Sequence, residues 1–578
     1  MVAIDPSVLE KANQWLNSSI DEDSKAEINR MLNSENTDEI IDSFYKDLEF
    51  GTGGLRGIMG VGSNRVNKYT IGMATQGFAN YLNATFSGEE ISVAIAYDSR
   101  NNSQLFGEVT ASVFSANGIK VYLFEELRPT PELSFAVRYL GCKGGVVLTA
   151  SHNPKEYNGY KAYFDDGGQV TPPHDKNIVA EVAKVSLDTV NFEADESKIE
   201  RITTSIDEPY LEKITTNVVT PEAIKNQHDL KIVFSPIHGT GITMVPPILK
   251  KLGFTEVHTV PEQSIPDGNF STVIYPNPEE AEAMSMALNM AKEMDADLVM
   301  GTDPDSDRVG IGVKNHHGEW QLLNGNQAAS CMIYYLLKAR QDKNLLDGKQ
   351  YICKTIVTTD LLDAMAERFG VDCYNVLTGF KYIAEKIKEL EGQKEFIGGG
   401  EESYGYLVND FVRDKDAIIS CAMLAEVVAW AKDQGITLFD LLMEIYQQYG
   451  MYREHLISIK RTGKKGAEEI QQMMADLRAN PPASIAGSKV AKMRDYKSSV
   501  EKDLASESES SIDFPVSNVL QFMAEDGTKV SARPSGTEPK IKFYFSVQAP
   551  MAEKSDFDSV YAQLGDKIEA IIADMNLN

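Results

Sequence analysis

The sequence predicts an α/β protein of several domains, three α/β units followed by a smaller α+β one, and three observations carry that prediction. A chain of 578 residues is far longer than one hydrophobic core usually supports. Short apolar runs alternate with helical segments three times over, and the final stretch breaks the rhythm. The first unit holds ISVAIAY (91–97), IKVYLF (119–124) and GGVVLTA (144–150), each followed by turn or polar residues. The second holds KIVFS (231–235), VHTV (257–260) and DLVMGT (297–302), and the third YICKTIV (351–357), VDCYNVL (371–377) and KEFIGG (394–399). The last segment runs from a strand-like HLISI (455–459) through a helical AEEIQQMMADLR (467–478) to a hairpin candidate at Asp526 and Gly527, the strand IKFYFSV and a terminal helix. Within it, the Ser- and Glu-rich residues 497–511 read as a mobile loop. The expected domains are 1–205, 206–322, 323–448 and 449–578, with no low-complexity tract and no strict sequence repeat.

Composition narrows the function. The chain is 42% hydrophobic and 24% charged, ordinary for a soluble protein, and its formal net charge of −29 repels nucleic-acid backbones and anionic lipid over most of the surface. Neither nucleic acid nor membrane is an expected partner. An anionic small molecule stays compatible, because a few Arg and Lys residues make a cleft locally positive. The N-terminal MVAIDPSVLEKANQW lacks the basic segment and apolar core of a secretory leader, and five cysteines without paired spacing fit reduced thiols, so the expected location is cytoplasmic. The apolar stretch 417–431 is too short to span a bilayer and contains Glu426; it reads as a buried helix.

Several motifs carry chemistry. TASHNPKEYNGYK (149–161) follows the strand VVL and places Ser151 at a strand's carboxyl end, where open α/β sheets bind ligands. Ser151 there is a nucleophile candidate with His152 and Lys161 nearby; taken alone, it reads first as a serine capping a turn. GTDPDSDRVG (301–310) lies between two strand-like runs, so Asp303, Asp305 and Asp307 can converge on one hard cation. A calcium EF-hand beginning at Asp303 would need Gly and Glu where Arg308 and Lys314 stand. GGGEESYGY (398–406) offers Glu401 and Ser403 as acceptors for sugar hydroxyls, and ARPSGTEPK (532–540) offers Arg533, Ser535, Gly536 and Thr537 as a phosphate nest. FGTGGLRG (50–57), LTGFKYI (377–383) and RDKDA (413–417) add Arg56, Lys381 and Lys415, cations in or beside glycine-containing or strand-terminal loops. No Walker A or dinucleotide fingerprint accompanies them.

Together these motifs resemble the α-D-phosphohexomutase superfamily, which includes phosphoglucomutases and phosphomannomutases. TASHNP with NGYK looks like its phosphoserine loop, GTDPDSDR its metal loop, GEESYG its sugar loop and RPSGTEPK its phosphate loop, in the family's order across nearly the whole chain. The resemblance implies four domains around a central cleft, the first three alike, with a fourth that moves. It implies phosphoserine at Ser151 and one Mg²⁺ held by Asp303, Asp305, Asp307 and Ser151 or its phosphate. Arg56, Lys161 and Lys415 fall at positions of catalytic or phosphate-contacting cations; Arg308, Thr378, Gly379, Lys381, Glu401 and Ser403 at substrate-binding ones; Arg533, Ser535, Gly536 and Thr537 at the phosphate of the non-reacting end. It leaves open whether His152 or a lysine moves the proton. The long N-terminal segment with FGTGGLRG resembles the longer branch, which also holds phosphopentomutases and a bisphosphate synthase. EESYG favours a hexose, so the expected reaction converts glucose 1-phosphate to glucose 6-phosphate through glucose 1,6-bisphosphate, with mannose 1-phosphate second. A metal-dependent phosphatase is the alternative of another class, although one carboxylate loop without a His/Asp cluster argues against it. A non-catalytic sugar-phosphate-binding protein is a further one, though no expected catalytic position is lost. The oligomeric state stays open.

Overall fold

In the computed structural model, which describes residues 4–51, 53–461, 463–535 and 539–577, with backbone alone at 463 and 464, every apolar run named above contributes a strand. β1 (Gly54–Ile58), β2 (Ser92–Tyr97), β3 (Lys120–Phe124), β4 (Gly144–Leu148), β5 (Tyr157–Phe164) and β6 (Ile199–Ile202) form one sheet in the order β1-β5-β4-β2-β3-β6. β2, β3, β4 and β6 are parallel; β5 pairs antiparallel with β4, and the edge strand β1 pairs antiparallel with β5 and so runs with the parallel strands. β4 is buried at every position, as a strand covered on both faces must be. Its Gly145 lets the helix Thr130–Leu140 lie directly on the sheet, since a Cβ there would stand 2.6 Å from Val137 Cγ2.

β7 (Ile232–Ser235), β8 (Val257–Thr259), β9 (Leu298–Thr302), β10 (Val309–Lys314) and β11 (Trp320–Leu323) form a second sheet, β11-β10-β9-β7-β8. β12 (Gln350–Thr355), β13 (Asp372–Val376) and β14 (Glu395–Gly400) follow in the order β13-β12-β14. A sequence without a strict repeat thus carries a topological one: β3-β2-β4, β8-β7-β9 and β13-β12-β14 are the same arrangement. In each, a motif follows the third strand, Ser151 after β4, Asp303 after β9 and Glu401 after β14. Those are carboxyl ends of strands, the position the sheet geometry leaves open to ligands.

After β15 (Tyr406–Val408) comes the C-terminal sheet, β16 (Met451–Lys460), β17 (Ser484–Ile485), β18 (Ser488–Asp495), β19 (Val500–Asp503), β20 (Glu509–Ser511), β21 (Leu520–Ala524), β22 (Lys529–Pro534) and β23 (Lys540–Ala549). It is ordered β16-β23-β22-β21-β18-β19-β20, with β17 on β18, and is followed by the helix Phe557–Asp574, the predicted α+β domain. The hairpin at Asp526 and Gly527 joins β21 to β22, with Gly527 at φ +83. Residues 497–511 correct the sequence reading: they are not a loop but the edge hairpin β19-β20, which pairs with β18. Their polarity belongs to a sheet edge, where Lys492 and Arg494 meet Glu501 across the strands at 3.0 and 2.6 Å. FGTGGLRG is likewise less of a loop than it reads, because its second half is β1 and Arg56 lies on that strand.

By contacts the chain forms two compact units, one of residues up to 324 with 384–396 and 403–434, the other of 325–383, 397–402 and 435 onward. The first unit holds the first two sheets and an N-terminal cap of three helices, Pro6–Leu16, Glu22–Leu32 and Asp38–Phe44, whose Trp15 and Phe44 pack with Tyr69. It also holds the expected buried helix, Ala417–Asp433, in which Glu426 Oε1 accepts hydrogen bonds from the backbone N–H groups of Val219 and Thr220. The second unit centres its interior on Ile356, Val357, Leu377, Tyr496, Val519 and Tyr544. Among the described residues no helix is long and apolar enough to cross a membrane, and all five cysteines are free.

Candidate active site

In the first unit the loop after β4 turns at Ser151, which has φ +53 and is 3% exposed. Its N–H donates to Thr149 Oγ1 at 2.8 Å, its Oγ donates to Asp303 Oδ2 at 3.0 Å, and Oγ lies 3.2 Å from His152 Nδ1. Burial first, then the charges of Arg308 and Arg56, hold the His152 imidazole well below its usual range.

The tight β9-β10 connection brings Asp303, Asp305 and Asp307 into one buried cluster whose ligand oxygens all lie within 4.8 Å of one another. Asp303 Oδ1 accepts from the N–H groups of Asp307 and Arg308, which closes the loop on itself. Asp305 Oδ2 accepts from Lys161 Nζ at 2.6 Å and from Thr130 Oγ1 at 2.9 Å. Asp307 Oδ2 faces Lys161 Nζ at 3.1 Å and Lys415 Nζ at 3.3 Å. Asp305 Oδ1 and Asp307 Oδ1 are buried without a hydrogen-bond partner. Burial, then the neighbouring Asp307 and Asp305, pushes Asp303 well above the carboxylate range. At Asp307 burial pulls upward too, but Lys161, Lys415 and Arg308 outweigh it and hold the group far below that range. Three buried carboxylates, two of them with an oxygen that makes no hydrogen bond, are a hard-oxygen donor set of the kind a divalent cation takes, so the residues fit Mg²⁺.

Cations ring the cluster. Lys161 projects from β5, and Lys415 reaches Asp307 across Gly405, where a Cβ would stand 2.0 Å from Lys415 Cδ. Asp414, which accepts from Tyr163 Oη and Gln169 Nε2, takes the Lys415 backbone N–H. Arg308 pairs with Glu279 at 2.6 Å and stands 3.8 Å from Asp307 Oδ1. Arg56 is exposed on β1 and donates to Asn153 Oδ1 at 2.9 Å, beside Ser151. Tyr404, next to Ser403, accepts from Val309 N–H through its carbonyl, which ties the 403–417 segment to the aspartate loop.

The second unit carries another set. Glu401, 6% exposed, accepts the Gly379 N–H at 2.9 Å through Oε1, and Gly379 has φ +124. Thr378 Oγ1 is buried without a partner beside it. Glu402 Oε2 accepts from Thr355 Oγ1 at 3.2 Å; burial, then Glu401, pushes its carboxyl up to about 7 against the pull of Lys542. Lys381 lies on the helix Phe380–Leu390, its Nζ 5.1 Å from the Tyr382 ring centroid. Arg533 pairs across the β22-β23 ladder with Lys542, and the Ser535 N–H donates to Lys540 O. Gly536 and Thr537 lie outside the described residues.

Comparisons with known proteins give the family. The family models described as phosphoglucomutase/phosphomannomutase α/β/α domains I, II and III match residues 47–189, 208–318 and 324–449. The chain belongs to the phosphoglucomutase/phosphomannomutase family. A phosphoglucomutase of Staphylococcus epidermidis is 36% identical over 557 residues, covering 96% of this chain and 99% of the relative. One of Staphylococcus aureus is 37% identical over 540 residues, 92% and 93% of the two. Among solved structures, a putative phosphomannomutase from Thermus thermophilus superposes with a TM-score of 0.68 at 21% identity, over 92% of this chain and 98% of that one, a likeness of fold.

For a member of this family, several supporting residues were not singled out in the sequence. Thr130 binds Asp305 by hydroxyl and by N–H, across 175 residues of chain, and nothing in RPTPEL signals it. Gly405 and Glu402 sit inside a quoted motif whose letters do not say what each does. Asp414 adjoins Lys415, and its three contacts appear only in the folded chain.

Proposed function

We propose that this enzyme is a phosphoglucomutase that interconverts glucose 1-phosphate and glucose 6-phosphate by way of phosphoserine at Ser151. The observation that carries the chemistry is Ser151 Oγ, 3.0 Å from Asp303 in a buried three-carboxylate cluster with two unpartnered oxygens. The choice of glucose is supported by the curated relatives, each a phosphoglucomutase. Asp303, Asp305, Asp307 and an oxygen on Ser151 would hold the family's Mg²⁺, which supplies charge stabilisation for the transferring phosphoryl oxygens.

The chain's own residues do the rest. The phosphoryl group leaves Ser151 Oγ as its P–O bond breaks and a new one forms to the free sugar hydroxyl, whose proton passes to a base in the same centre. Returning the other phosphoryl group to Ser151 from glucose 1,6-bisphosphate restores the enzyme and leaves the isomer. Lys161, Lys415, Arg308 and Arg56 supply positive charge around the reacting phosphoryl group, where fixed charge in a buried site lowers the barrier most. By their motifs, Glu401, Thr378, Gly379, Lys381 and Ser403 are the candidate sugar-binding residues, and Arg533 and Ser535 the candidates for the phosphate that is not reacting. Five free thiols and an acidic composition support a cytoplasmic location.

A substrate panel tests the reading. Glucose, mannose, glucosamine and ribose 1-phosphates are assayed with Mg²⁺ and a trace of the matching bisphosphate. Isomerisation fastest with glucose 1-phosphate is expected; release of inorganic phosphate without isomerisation assigns the protein to the phosphatases instead.

A further inference from the structure

Ser151 is a non-glycine residue held at φ +53, a left-handed conformation that is unfavourable for a side chain and persists only where the surroundings over-determine it. The surroundings that do so lie at the carboxyl end of β2, in Asp98 and Arg100, whose side chains are wholly buried. The Arg100 Nη1 donates to the carbonyls of Pro154 at 2.9 Å and Tyr157 at 3.1 Å, and Nη2 donates to the carbonyls of Ser151 and Asn153. One guanidinium therefore holds four carbonyls of the loop, a task its planar fork of donors suits and an ammonium does not. Asp98 Oδ2 accepts from Thr149 Oγ1 at 2.6 Å, and Thr149 Oγ1 in turn accepts the Ser151 N–H at 2.8 Å. Asp98 Oδ1 accepts from the Arg100 N–H and from Ser103 Oγ, and its Oδ2 lies 3.3 Å from Arg100 Nε, which fixes the pair to each other. The flat face of Arg100 is covered by the Phe270 ring, 4.9 Å away.

We infer that Asp98 and Arg100 are positioning residues for phosphoryl transfer: they grip Ser151 by its N–H, through Thr149, and by its C=O, and so aim Oγ at the aspartate cluster. Two consequences follow from that geometry. The carbonyl oxygens drawn to Arg100 face a cation and are turned from the anionic phosphoryl group that Ser151 carries. The aim of Oγ is set by side chains that hold Ser151 through its backbone and not through Oγ, so the same grip serves the phosphorylated and the free serine. The inference rests on Ser151 being the phosphoryl carrier.

The test uses the full-length enzyme with Arg100→Lys, Thr149→Val and Ser103→Ala. Arg100→Lys keeps the charge and loses the fork. Thr149→Val keeps the shape and cuts the link from Asp98 to the Ser151 N–H. Ser103→Ala removes an Asp98 partner that does not touch Ser151. Misplacing a reacting atom by about 1 Å costs on the order of 10²-fold, so kcat falls roughly that far in Arg100→Lys and about tenfold or more in Thr149→Val. KM stays within about threefold and Ser103→Ala stays near the parent rate, the pattern of an interaction lost in the transition state and not in binding. Single-turnover transfer from phosphorylated enzyme to sugar slows in parallel, a readout that loss of stability alone does not move. If Arg100→Lys fails to fold, Thr149→Val, checked by its melting temperature, decides alone. A folded Thr149→Val or Arg100→Lys that transfers at the parent rate overturns the inference. Absence of phosphate from Ser151 in the parent enzyme overturns instead the function on which the inference rests.

Discussion

Gly405 shows how much of this site depends on what a residue lacks. Lys415 reaches Asp307 only because no Cβ stands where its Cδ lies, 2.0 Å from the position a side chain at 405 would take. Gly405→Ala therefore displaces the Lys415 stem. The expected result is a fall in kcat of about tenfold or more with a stability change of roughly 1 kcal/mol, because the stem can swing aside; matched kinetics and thermal melts read both. Glu402 offers a second prediction at this scale. Its carboxyl ordinarily titrates near 4.5 and is pushed up to about 7 by burial, then by Glu401, with Lys542 and the Thr355 hydroxyl opposing. Between those values the folded chain binds a proton that the unfolded chain does not, so stability falls as pH rises through that window and levels off above it. Glu402→Gln removes that slope. Denaturant titrations at pH 5, 6 and 7, pH values chosen to cross roughly that window, should show the variant gaining on the parent as pH rises; parallel curves for the two proteins would contradict the assignment.

At the scale of elements, the sequence displays its strands clearly and its partnerships poorly. Period and apolarity revealed β4, β9 and β14, the strands that the Ser151, aspartate and Glu401 motifs follow, because a strand covered on both faces is a continuous apolar run such as GGVVL or LVMGT. Edge elements escaped that grammar. β1, GLRGI, has two glycines and one buried position, and β19-β20 is Ser- and Glu-rich, since an edge strand is stabilised by ladder hydrogen bonds and cross-strand ion pairs more than by burial. Loops and edge strands therefore share a composition. The helix Ala417–Asp433 was legible as buried, and Glu426 within it was legible only as an exception. The structure shows it accepting the N–H groups of Val219 and Thr220 at 2.7 and 2.5 Å. Glu426→Ala removes the carboxylate acceptor of two buried N–H groups, and a loss of about 3 kcal/mol is expected in denaturant unfolding with KM for the sugar phosphate unchanged.

At the scale of the molecule, the order of the four loops made the family readable while no single loop did. Each motif alone is compatible with a turn; the strand order second-first-third, repeated in three sheets, explains why three of them fall at carboxyl ends of strands. The candidate centre of the first unit was legible residue by residue, since Ser151, His152, Lys161, the three aspartates, Arg308 and Lys415 lie together there. Its supports were not, because Thr130, Asp98 and Arg100 act through contacts that only the folded sheet creates. Chelation should reduce turnover to background and added Mg²⁺ restore it, and Asp307→Asn should raise the Mg²⁺ needed for half-maximal rate by about tenfold or more. The most direct measurement of the central claim is the fate of the phosphoryl group on Ser151. After incubation with glucose 1,6-bisphosphate, phosphopeptide mass spectrometry should find one phosphate, at Ser151, and a chase with glucose 1-phosphate should move it to the sugar faster than to water. An enzyme that isomerises glucose 1-phosphate with Ser151 unmodified, or that still turns over as Ser151→Ala, would contradict the account.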